Sequence, residues 1–161
     1  MRRRVGASEE EDVLSVQANL STSYAQLGRT DDSLRMDKAI YSSRLRLFGE
    51  SHEKTLHSAL HLSISLFTAN NFSESKMFTR PLLPLARRAL GADHDICLRL
   101  AHAYVIAVME CAASSRDELF FAEKLLEDTA RRFRRVFGPQ YPSTPRAEED
   151  LALIRERLAE P

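Results

Sequence analysis

The segment FGESH at residues 48–52 decides the fold of this 161-residue chain, because it recurs as LGADH at 90–94 and as FGPQY at 137–141. The three glycines of these segments, at 49, 91 and 138, are 42 and 47 residues apart. A nearly fixed period of about 20 to 50 residues is typical of stacked repeat architectures. The sequence therefore predicts a repeat array, whose long surface holds another molecule, rather than a single catalytic pocket.

The composition indicates a helix-rich globular protein of one ordinary domain length. Hydrophobic residues make up 43% of the chain and charged residues 29%, with five glycines, six prolines and no tryptophan. These values exclude a collagen-like or disordered chain. The 23 basic and 23 acidic residues cancel, which argues against a dedicated nucleic-acid binder because such proteins usually carry a strongly basic domain.

The two cysteines and the chain start predict a reducing, cytoplasmic setting. Cys97 and Cys111 are 14 residues apart on what reads as one helix, which separates them by about 21 Å and prevents them from pairing. We expect both to be small buried hydrophobic residues. No apolar run of membrane-spanning length occurs, and residues 1–4 lead into the acidic stretch 8–12, so we expect neither a secretory signal nor a membrane span.

The recurring segment divides the chain into repeat units. We predict a disordered tail over 1–11 and a repeat domain over 12–161, with units at 12–52, 53–94 and 95–141 and a capping half unit at 142–161. In the first unit Val13, Val16, Leu20 and Tyr24 recur at helical spacing, and Gly28 predicts the end of that helix. Asp31 or Asp32 is expected to cap the next helix.

The later units keep this pattern with local changes. Asn70-Asn71 replaces the turn glycine in the second unit, and asparagine tolerates the same positive φ. Pro81 and Pro84 predict a kink or restart of the helix between Thr79 and Pro84. The third unit has a longer connection over 112–117, and about seven helices are expected in all, ending in a polar-backed capping helix over 146–160.

The string DVLSVQANLSTSY at 12–24, the segment 28–34 and the recurring segment together resemble tetratricopeptide repeats of the kinesin light chain type, over residues 12–155. The string is similar to the D-V-A-x-x-L-N-N-L-A-x-L-Y of the first helix in such a repeat. Residues 28–34 match the spacing of G-x-x-x-E-A-L, and the recurring segment matches the L-G-x-D-H-P that joins units. Glu53 and Asp95 stand where proline is usual, and Gln17 occupies an apolar position. The resemblance implies an all-α, right-handed α-α superhelix, a tetratricopeptide-like solenoid of three helical hairpins plus a C-terminal capping helix.

The resemblance also implies a protein–protein interaction scaffold that binds a peptide in its concave groove. The first helix of each unit forms that inner surface in the family, and an asparagine at the position of Asn19 commonly reaches the backbone of an extended peptide. His61 and Ala103 depart from asparagine at the equivalent positions. A solvated polar face is the alternative reading of these residues. The predicted groove residues are Ser15, Asn19, Thr22, Gln26, His57, His61, Ile64, Arg99 and Ile106, with Thr68, Ala103 and Glu110 completing the helix faces.

The histidines offer little support for a metal or cofactor site. His57 and His61 are spaced i, i+4, so both could hold a metal, but Ser58 stands where the H-E-x-x-H motif needs glutamate and no third ligand is indicated. We therefore expect neither a metal nor a cofactor. His52 and His94 occupy equivalent junctions and are expected to bond turn backbone, whereas His102 has no evident partner.

An arginine cluster supplies the alternative function, contact with RNA or an anionic membrane. Glu127 and Asp128 are expected to neutralise part of the cluster through helical ion pairs. No Gly-rich phosphate loop, nucleophile elbow or catalytic triad is apparent, so we do not expect an enzyme. The partner's identity, the oligomeric state and whether the array is longer stay open. The cluster comprises Arg87, Arg88, Arg131, Arg132, Arg134 and Arg135.

Overall fold

A computed structural model describes residues 2–160 of the chain, with side chains from residue 8 onward. Every regular element in this range is an α-helix, as the sequence predicts. The helices are α1 (Arg2–Gln26), α2 (Thr30–Phe48), α3 (Glu53–Thr68), α4 (Phe72–Thr79), α5 (Leu82–Leu90), α6 (Asp95–Glu110), α7 (Arg116–Phe137) and α8 (Ser143–Ala159).

The helices form two compact units, which divide between α3 and α4. Unit 1 is Met1–Asn70, in which α2 contacts both α1 and α3. Unit 2 is Asn71–Pro161, in which α6 contacts α4, α5, α7 and α8. The division therefore lies inside the repeat predicted over 53–94.

Unit 1 joins α1 to α2 through polar contacts. Arg44 donates to both carboxylate oxygens of Glu11, over 2.9 Å from Nη2 and 3.3 Å from Nε, and the two side chains are only 7% and 8% exposed. Farther along α1, the Ser21 hydroxyl donates to the Ser33 carbonyl oxygen over 3.1 Å. Leu14 is the one large apolar side chain that α1 buries among its described residues. The position of α1 on α2 thus depends mainly on hydrogen bonds and ion pairs.

The charge of Glu11 is retained in spite of its burial. Burial by itself raises the pKa of this carboxyl, but hydrogen bonds from Arg44 and Lys54 and their positive charges outweigh it and hold the pKa below its ordinary value of 4.5. The Lys54 ammonium lies 3.2 Å from the carboxylate. Glu11 is therefore an anion with two cationic partners at neutral pH.

The beginning of α1 differs from the predicted disordered tail over 1–11. The helix begins at Arg2, and Met1 lies outside the described residues. Glu10 forms an ion pair with Arg46 over 2.7 Å, next to the buried pair of Glu11. The acidic run that reads as a solvated tail is thus attached to α2 by arginines more than 30 residues away, which local sequence patterns do not reveal.

Unit 2 has an apolar core between α6, α7 and α8. Tyr104, Leu126, Phe133 and Ile154 are its largest members, and each is at most 1% exposed. Burial of such side chains contributes about 1.5–3 kcal/mol each. Unit 2 is therefore stabilised chiefly by the hydrophobic effect, in contrast to the polar contacts of α1 in unit 1.

Pro81 and Pro84 divide the second helix of the repeat predicted over 53–94 into α4 and α5, as the sequence predicts. The first segment, α4, ends at Thr79, and α5 begins at Leu82, within the predicted interval of 79–84. Proline has no N–H group for the helical hydrogen bond and its ring clashes with the preceding turn. The break accounts for eight helices over the described residues where about seven were expected.

The recurring glycines end α2, α5 and α7 in a backbone conformation that other residues avoid. Gly49, Gly91 and Gly138 have φ of 82°, 93° and 86° with ψ of 169°, 154° and 170°, a region that is essentially restricted to glycine. Each donates its N–H to the carbonyl oxygen four residues earlier. The repeat junction is therefore a fixed turn, which explains why the glycine recurs.

Side-chain caps start two of the helices that follow. The Nδ1 atoms of His52 and His94 accept hydrogen bonds from the backbone N–H two residues later, which confirms the predicted backbone role. Asn70 has a φ of 58°, as expected for the glycine replacement. The predicted cap of α2 is wrong, because no side chain caps this helix and Asp32 instead forms ion pairs with Arg29 and Arg35.

Replacing Glu11 with glutamine should destabilise the protein strongly. We expect a loss of about 3 kcal/mol in the free energy of unfolding at pH 7, because the variant leaves the buried Arg44 without its counter-charge. Glu10→Gln is the matched control, and its exposed ion pair should be worth less than about 1 kcal/mol. Urea denaturation measures both variants, and equal losses would contradict the role of the buried pair.

The same comparison has a defined pH dependence. Because the pKa of Glu11 is depressed in the folded protein, its stabilisation is fully present above the ordinary pKa of 4.5 and is lost as the pH falls through the lower, folded value. The stability difference between wild type and Glu11→Gln should therefore shrink below pH 4.5. A constant difference down to pH 3 would show that the carboxylate charge is not responsible.

Gly91→Ala should cost about 2 kcal/mol of stability through backbone strain alone. A Cβ added at this position meets no neighbouring atom, so no steric clash contributes. Asn70→Gly is the contrasting variant, and we expect it to be neutral or slightly stabilising because glycine adopts positive φ without strain. Thermal unfolding distinguishes the two, and an unchanged melting temperature for Gly91→Ala would contradict the junction analysis.

Candidate functional site

The predicted groove residues of α1 form an exposed polar column. Ser15, Asn19, Thr22 and Gln26 are all exposed and recur at steps of three and four residues. The Ser15 hydroxyl donates to Glu11 over 3.2 Å, and the Thr22 hydroxyl donates to the Ala18 carbonyl oxygen over 3.1 Å. The side-chain amides of Asn19 and Gln26 bond to no residue that the structure describes. These two amides are therefore the groups available to an external ligand.

The predicted residues of α3 add imidazole rings and one aliphatic side chain. His57 is exposed and His61 is half-buried, and their ring centroids are 4.7 Å apart. Ile64 is 39% exposed. The Thr68 hydroxyl donates to the Ile64 carbonyl oxygen over 2.9 Å. The α3 face thus offers both polar and apolar contact.

A cavity of about 400 Å³ brings two of the predicted residues together. Ser15 of α1 and His57 of α3 both line it, at the end of the column nearest the buried ion pair. The other predicted residues of unit 1 do not line this cavity. We call Ser15, Asn19, Thr22, Gln26, His57, His61 and Ile64 the unit 1 face. The remaining lining residues of the cavity are Glu11, Arg44, His52, Glu53 and Lys54.

The cavity is polar and its charges are balanced. Glu11 accepts hydrogen bonds from Arg44 and Ser15 and lies beside Lys54, so its oxygens are fully engaged. The Lys54 side chain is 49% exposed and also lies 5.5 Å from the centre of the Phe48 ring. Sequence reasoning missed this cavity, because its walls come from three helices up to 46 residues apart along the chain.

Two predicted groove residues lie in unit 2. Arg99 is half-buried with its guanidinium 3.5 Å from the Asp95 carboxylate, and Ile106 is half-buried. Ala103, expected on the same inner column, is 6% exposed and belongs to the interior. The expectation that His102 lacks a partner is wrong, since its Nε2 lies 2.6 Å from a carboxylate oxygen of Asp150 on α8.

Ion pairs neutralise most of the arginine cluster in unit 2. Asp93 pairs with both Arg132 and Arg135 over 2.7 Å, and Arg134 pairs with Glu148 over 2.8 Å. A hydrogen bond from Arg132 and the charges of both arginines hold the pKa of Asp93 below its ordinary value, against the opposing effect of burial. The carboxylate therefore remains charged at neutral pH.

The predicted helical ion pairs of this cluster are partly present. Asp128 pairs with Arg131 and Arg132 as expected. Glu127 instead pairs with Arg155 of α8. The long-range partners Asp93 and Glu148 were not foreseen, because local helix spacing shows only neighbours three or four residues away.

The described residues contain no group of three or more metal-binding side chains and no helix long and apolar enough to cross a membrane. Both cysteines are buried and unpaired. Burial raises the pKa of Cys97 to about 11, partly offset by the charge of Arg87. A thiol with this pKa is protonated at neutral pH and unreactive.

The sequence model of the tetratricopeptide repeat matches residues 13–53 and 55–95. No curated protein matches the chain. Two crystal structures of nearly identical repeats, from a protein of Podosopora anserina assigned as a kinesin light chain, share the fold. One of them, a Q17M variant, is 18% identical with a TM-score of 0.76 over 88% of this chain. The other is 17% identical with a TM-score of 0.77 over 89%.

These matches confirm the fold class predicted from the sequence, an all-α tetratricopeptide-like solenoid. The chain covers 64% and 65% of the two solved chains, which is less than two thirds of their length. Because the identity is low, the likeness to these structures establishes the fold alone.

Asp93→Asn should increase binding to polyanions. The wild-type chain should bind heparin or single-stranded RNA weakly at physiological salt, because Asp93 occupies Arg132 and Arg135. The variant frees the guanidinium of Arg135 and leaves Arg132 paired only with Asp128, so it should bind several-fold more tightly, which a fluorescence anisotropy series over increasing salt measures. Tight RNA binding by the wild type would contradict the neutralised surface and restore the nucleic-acid function.

Proposed function

Because the chain belongs to the tetratricopeptide repeat family and its fold resembles that of kinesin light chain repeats, we propose that it binds an extended segment of a protein partner on the unit 1 face. Tetratricopeptide repeats generally mediate protein–protein interaction. The proposal assigns this binding to particular side chains and includes no catalytic step. Arg99 and Ile106 of unit 2 remain predicted further contacts of the bound segment.

The free amides of Asn19 and Gln26 carry the proposal. They are seven residues apart on one helix face, about 10 Å along the axis. Residues two and five of a peptide in the extended polyproline II conformation lie on the same side at a similar separation, since this conformation has three residues per turn and rises about 3.1 Å per residue. Each amide can donate to a peptide carbonyl and accept from a peptide N–H at once. This spacing supports recognition of main-chain groups independently of the peptide's sequence.

Other members of the unit 1 face supply the contacts that select a peptide. Ile64 offers partly exposed aliphatic surface, and the cavity beside Ser15 and His57 is large enough for a polar side chain. Glu11 and Glu53 offset the charges of Arg44 and Lys54 at the cavity, which therefore favours an uncharged polar group. We infer that the amides provide affinity and that the cavity provides selectivity.

We further propose a reducing, cytoplasmic compartment. Cys97 and Cys111 are both free and buried, as is usual for proteins whose thiols remain reduced. Their burial leaves them without a role in capturing a partner.

Peptides selected from a random library on the wild-type protein test the proposal. Their affinity should fall at least about tenfold, or 1.4 kcal/mol, in the Asn19→Ala, Gln26→Ala double variant, because two peptide hydrogen bonds are lost. The double variant Asn71→Ala, Gln140→Ala is the matched control, since it removes two exposed amides elsewhere. Fluorescence anisotropy measures all three proteins.

Two further readouts define the outcome of this experiment. Circular dichroism should show unchanged folding for both double variants, because all four side chains are exposed. The peptide affinity of the wild type should change little with salt, because the contacting amides are uncharged. Equal affinity of wild type and Asn19→Ala, Gln26→Ala would refute the assignment of the binding face.

A further inference from the structure

Unit 2 contains a cavity of its own, which the binding of a peptide on the unit 1 face does not use. Its volume is about 300 Å³, and its walls come from α5, α6, α7 and the junction between α5 and α6. Leu83, Leu98, Phe121 and Leu125 are among its apolar lining residues. Small-molecule sites begin at about this volume and are lined mainly by apolar side chains with a few polar groups. We call this space the unit 2 cavity.

Among the described residues that line the unit 2 cavity, Arg87 alone carries a charge without a partner. Arg132 pairs over 2.7 Å with Asp128, which also lines the cavity, and over 2.7 Å with Asp93, which does not. Arg87 is exposed and forms no hydrogen bond or ion pair with any residue that the structure describes. Its positive charge acts on the lining thiol of Cys97, where it partly offsets the rise in pKa caused by burial. The Arg87 side chain therefore lies at the opening, between solvent and the buried thiol.

We propose that the unit 2 cavity binds a small monocarboxylate with an apolar body, such as a medium-chain fatty acid. The apolar body leaves water for the apolar walls, which is favourable in proportion to the area buried. The carboxylate stays at the opening and pairs with Arg87, whose planar guanidinium presents two parallel N–H groups to the two oxygens. None of the lining residues belongs to the unit 1 face, so the proposal is independent of peptide binding.

The charges of the lining residues match a ligand with a single negative charge. Arg87 and Arg132 are positive and Asp128 is negative, so one positive charge is left over. Burial raises the pKa of Asp128, but hydrogen bonds from Arg132 and Arg131 and their charges outweigh it and hold the pKa below its ordinary value of 3.8. Asp128 is therefore ionised at neutral pH. A monocarboxylate cancels the remaining charge, whereas a phosphate dianion would bring a second negative charge towards Asp128.

The other polar lining groups favour a free acid over the C terminus of a peptide. Both carboxylate oxygens of Asp128 already accept hydrogen bonds from arginines. The Thr129 hydroxyl is directed at the Leu125 carbonyl oxygen, to which it donates over 2.7 Å. A peptide C terminus carries an N–H group next to its carboxylate, and burying a donor without an acceptor is unfavourable. A ligand whose only polar group is the carboxylate has no such donor.

Titration of the wild-type chain with octanoate, followed by NMR of the backbone amides, tests the site. The amide signals of the lining residues on α5, α6 and α7 should shift and saturate. We expect a dissociation constant of roughly 0.1–1 mM for a ligand of about ten non-hydrogen atoms. Octan-1-ol has the same chain without a charge and should bind several-fold more weakly. The proposal is wrong if no saturable shifts occur at the cavity up to about 10 mM octanoate, or if the alcohol binds as tightly as the acid.

Two neighbouring arginines provide a matched pair of variants for the charge. Arg87→Gln should weaken octanoate binding about fivefold and leave octan-1-ol binding unchanged, because it removes only the charge at the opening. Arg88→Gln is the control, since Arg88 is also exposed but does not line the cavity, and it should bind both ligands as the wild type does. Both variants should keep the wild-type melting temperature. An equal loss of octanoate affinity in the two variants would contradict the role of Arg87.

Two neighbouring phenylalanines provide a matched pair for the apolar wall. Phe121→Ala should weaken the binding of octanoate and of octan-1-ol several-fold, because Phe121 lines the cavity. Phe120→Ala should leave both affinities unchanged, since Phe120 is similarly exposed, at 47% against 51%, but does not line the cavity. If both variants weaken binding equally, octanoate binds exposed apolar surface in general and the assigned site is wrong.

A comparison of two acids distinguishes a free ligand from a peptide C terminus. N-acetyl-leucine differs from 4-methylpentanoate only by an acetamido group beside the carboxylate. We expect 4-methylpentanoate to bind the wild type more tightly, because the unit 2 cavity leaves the amide N–H without an acceptor. Tighter binding of N-acetyl-leucine would assign the cavity to the C terminus of a protein partner and would overturn the proposal of a free acid.

Discussion

The buried ion pair between Glu11 and Arg44 determines which faces of α1 are accessible. Two charges removed from water contribute little net stability, because desolvation offsets most of their attraction, but leaving one of them unpaired is costly. Such a pair therefore fixes geometry more than it adds free energy. Together with the bond from Ser21 to Ser33, it sets the rotation of α1 on α2. This rotation leaves the amides of the polar column and the apolar side chains of Val13, Val16 and Leu20 facing solvent.

The attachment of α1 differs from the packing of the other helices. Unit 2 has an apolar core around Tyr104 and Phe133, and α3 of unit 1 fully buries Leu56 and Leu60, whereas α1 is attached mainly through buried polar groups. The junctions are common to both: a glycine in a conformation restricted to glycine ends one helix, and a histidine cap starts α3 and α6. Because the turn is fixed by backbone geometry, side chains on the helices can vary while the repeat is retained. That freedom explains how a repeat fold can carry a specific binding face.

Local signals in the sequence were sufficient for the fold. The glycine period, the positive-φ substitute Asn70 and the two prolines each act within a single turn, so helix ends followed from them. Contacts between residues that are distant in sequence could not be predicted from these local signals. The pairing of Glu11 with Arg44, of Asp93 with Arg132 and of His102 with Asp150 depends on helix rotation, which a periodic pattern leaves undetermined. For the same reason the helical spacing of Val13, Val16 and Leu20 does not reveal that all three are exposed.

Hydrogen–deuterium exchange of the α1 amides tests the role of the buried ion pair most directly. If the pair holds α1 on α2, amides over residues 14–26 of the wild type should exchange much more slowly than those of an unfolded chain. In Glu11→Gln they should exchange at least about tenfold faster, while the α6 and α7 amides of unit 2 keep their rates. Unprotected α1 amides in the wild type, or equal acceleration throughout the protein, would contradict the account.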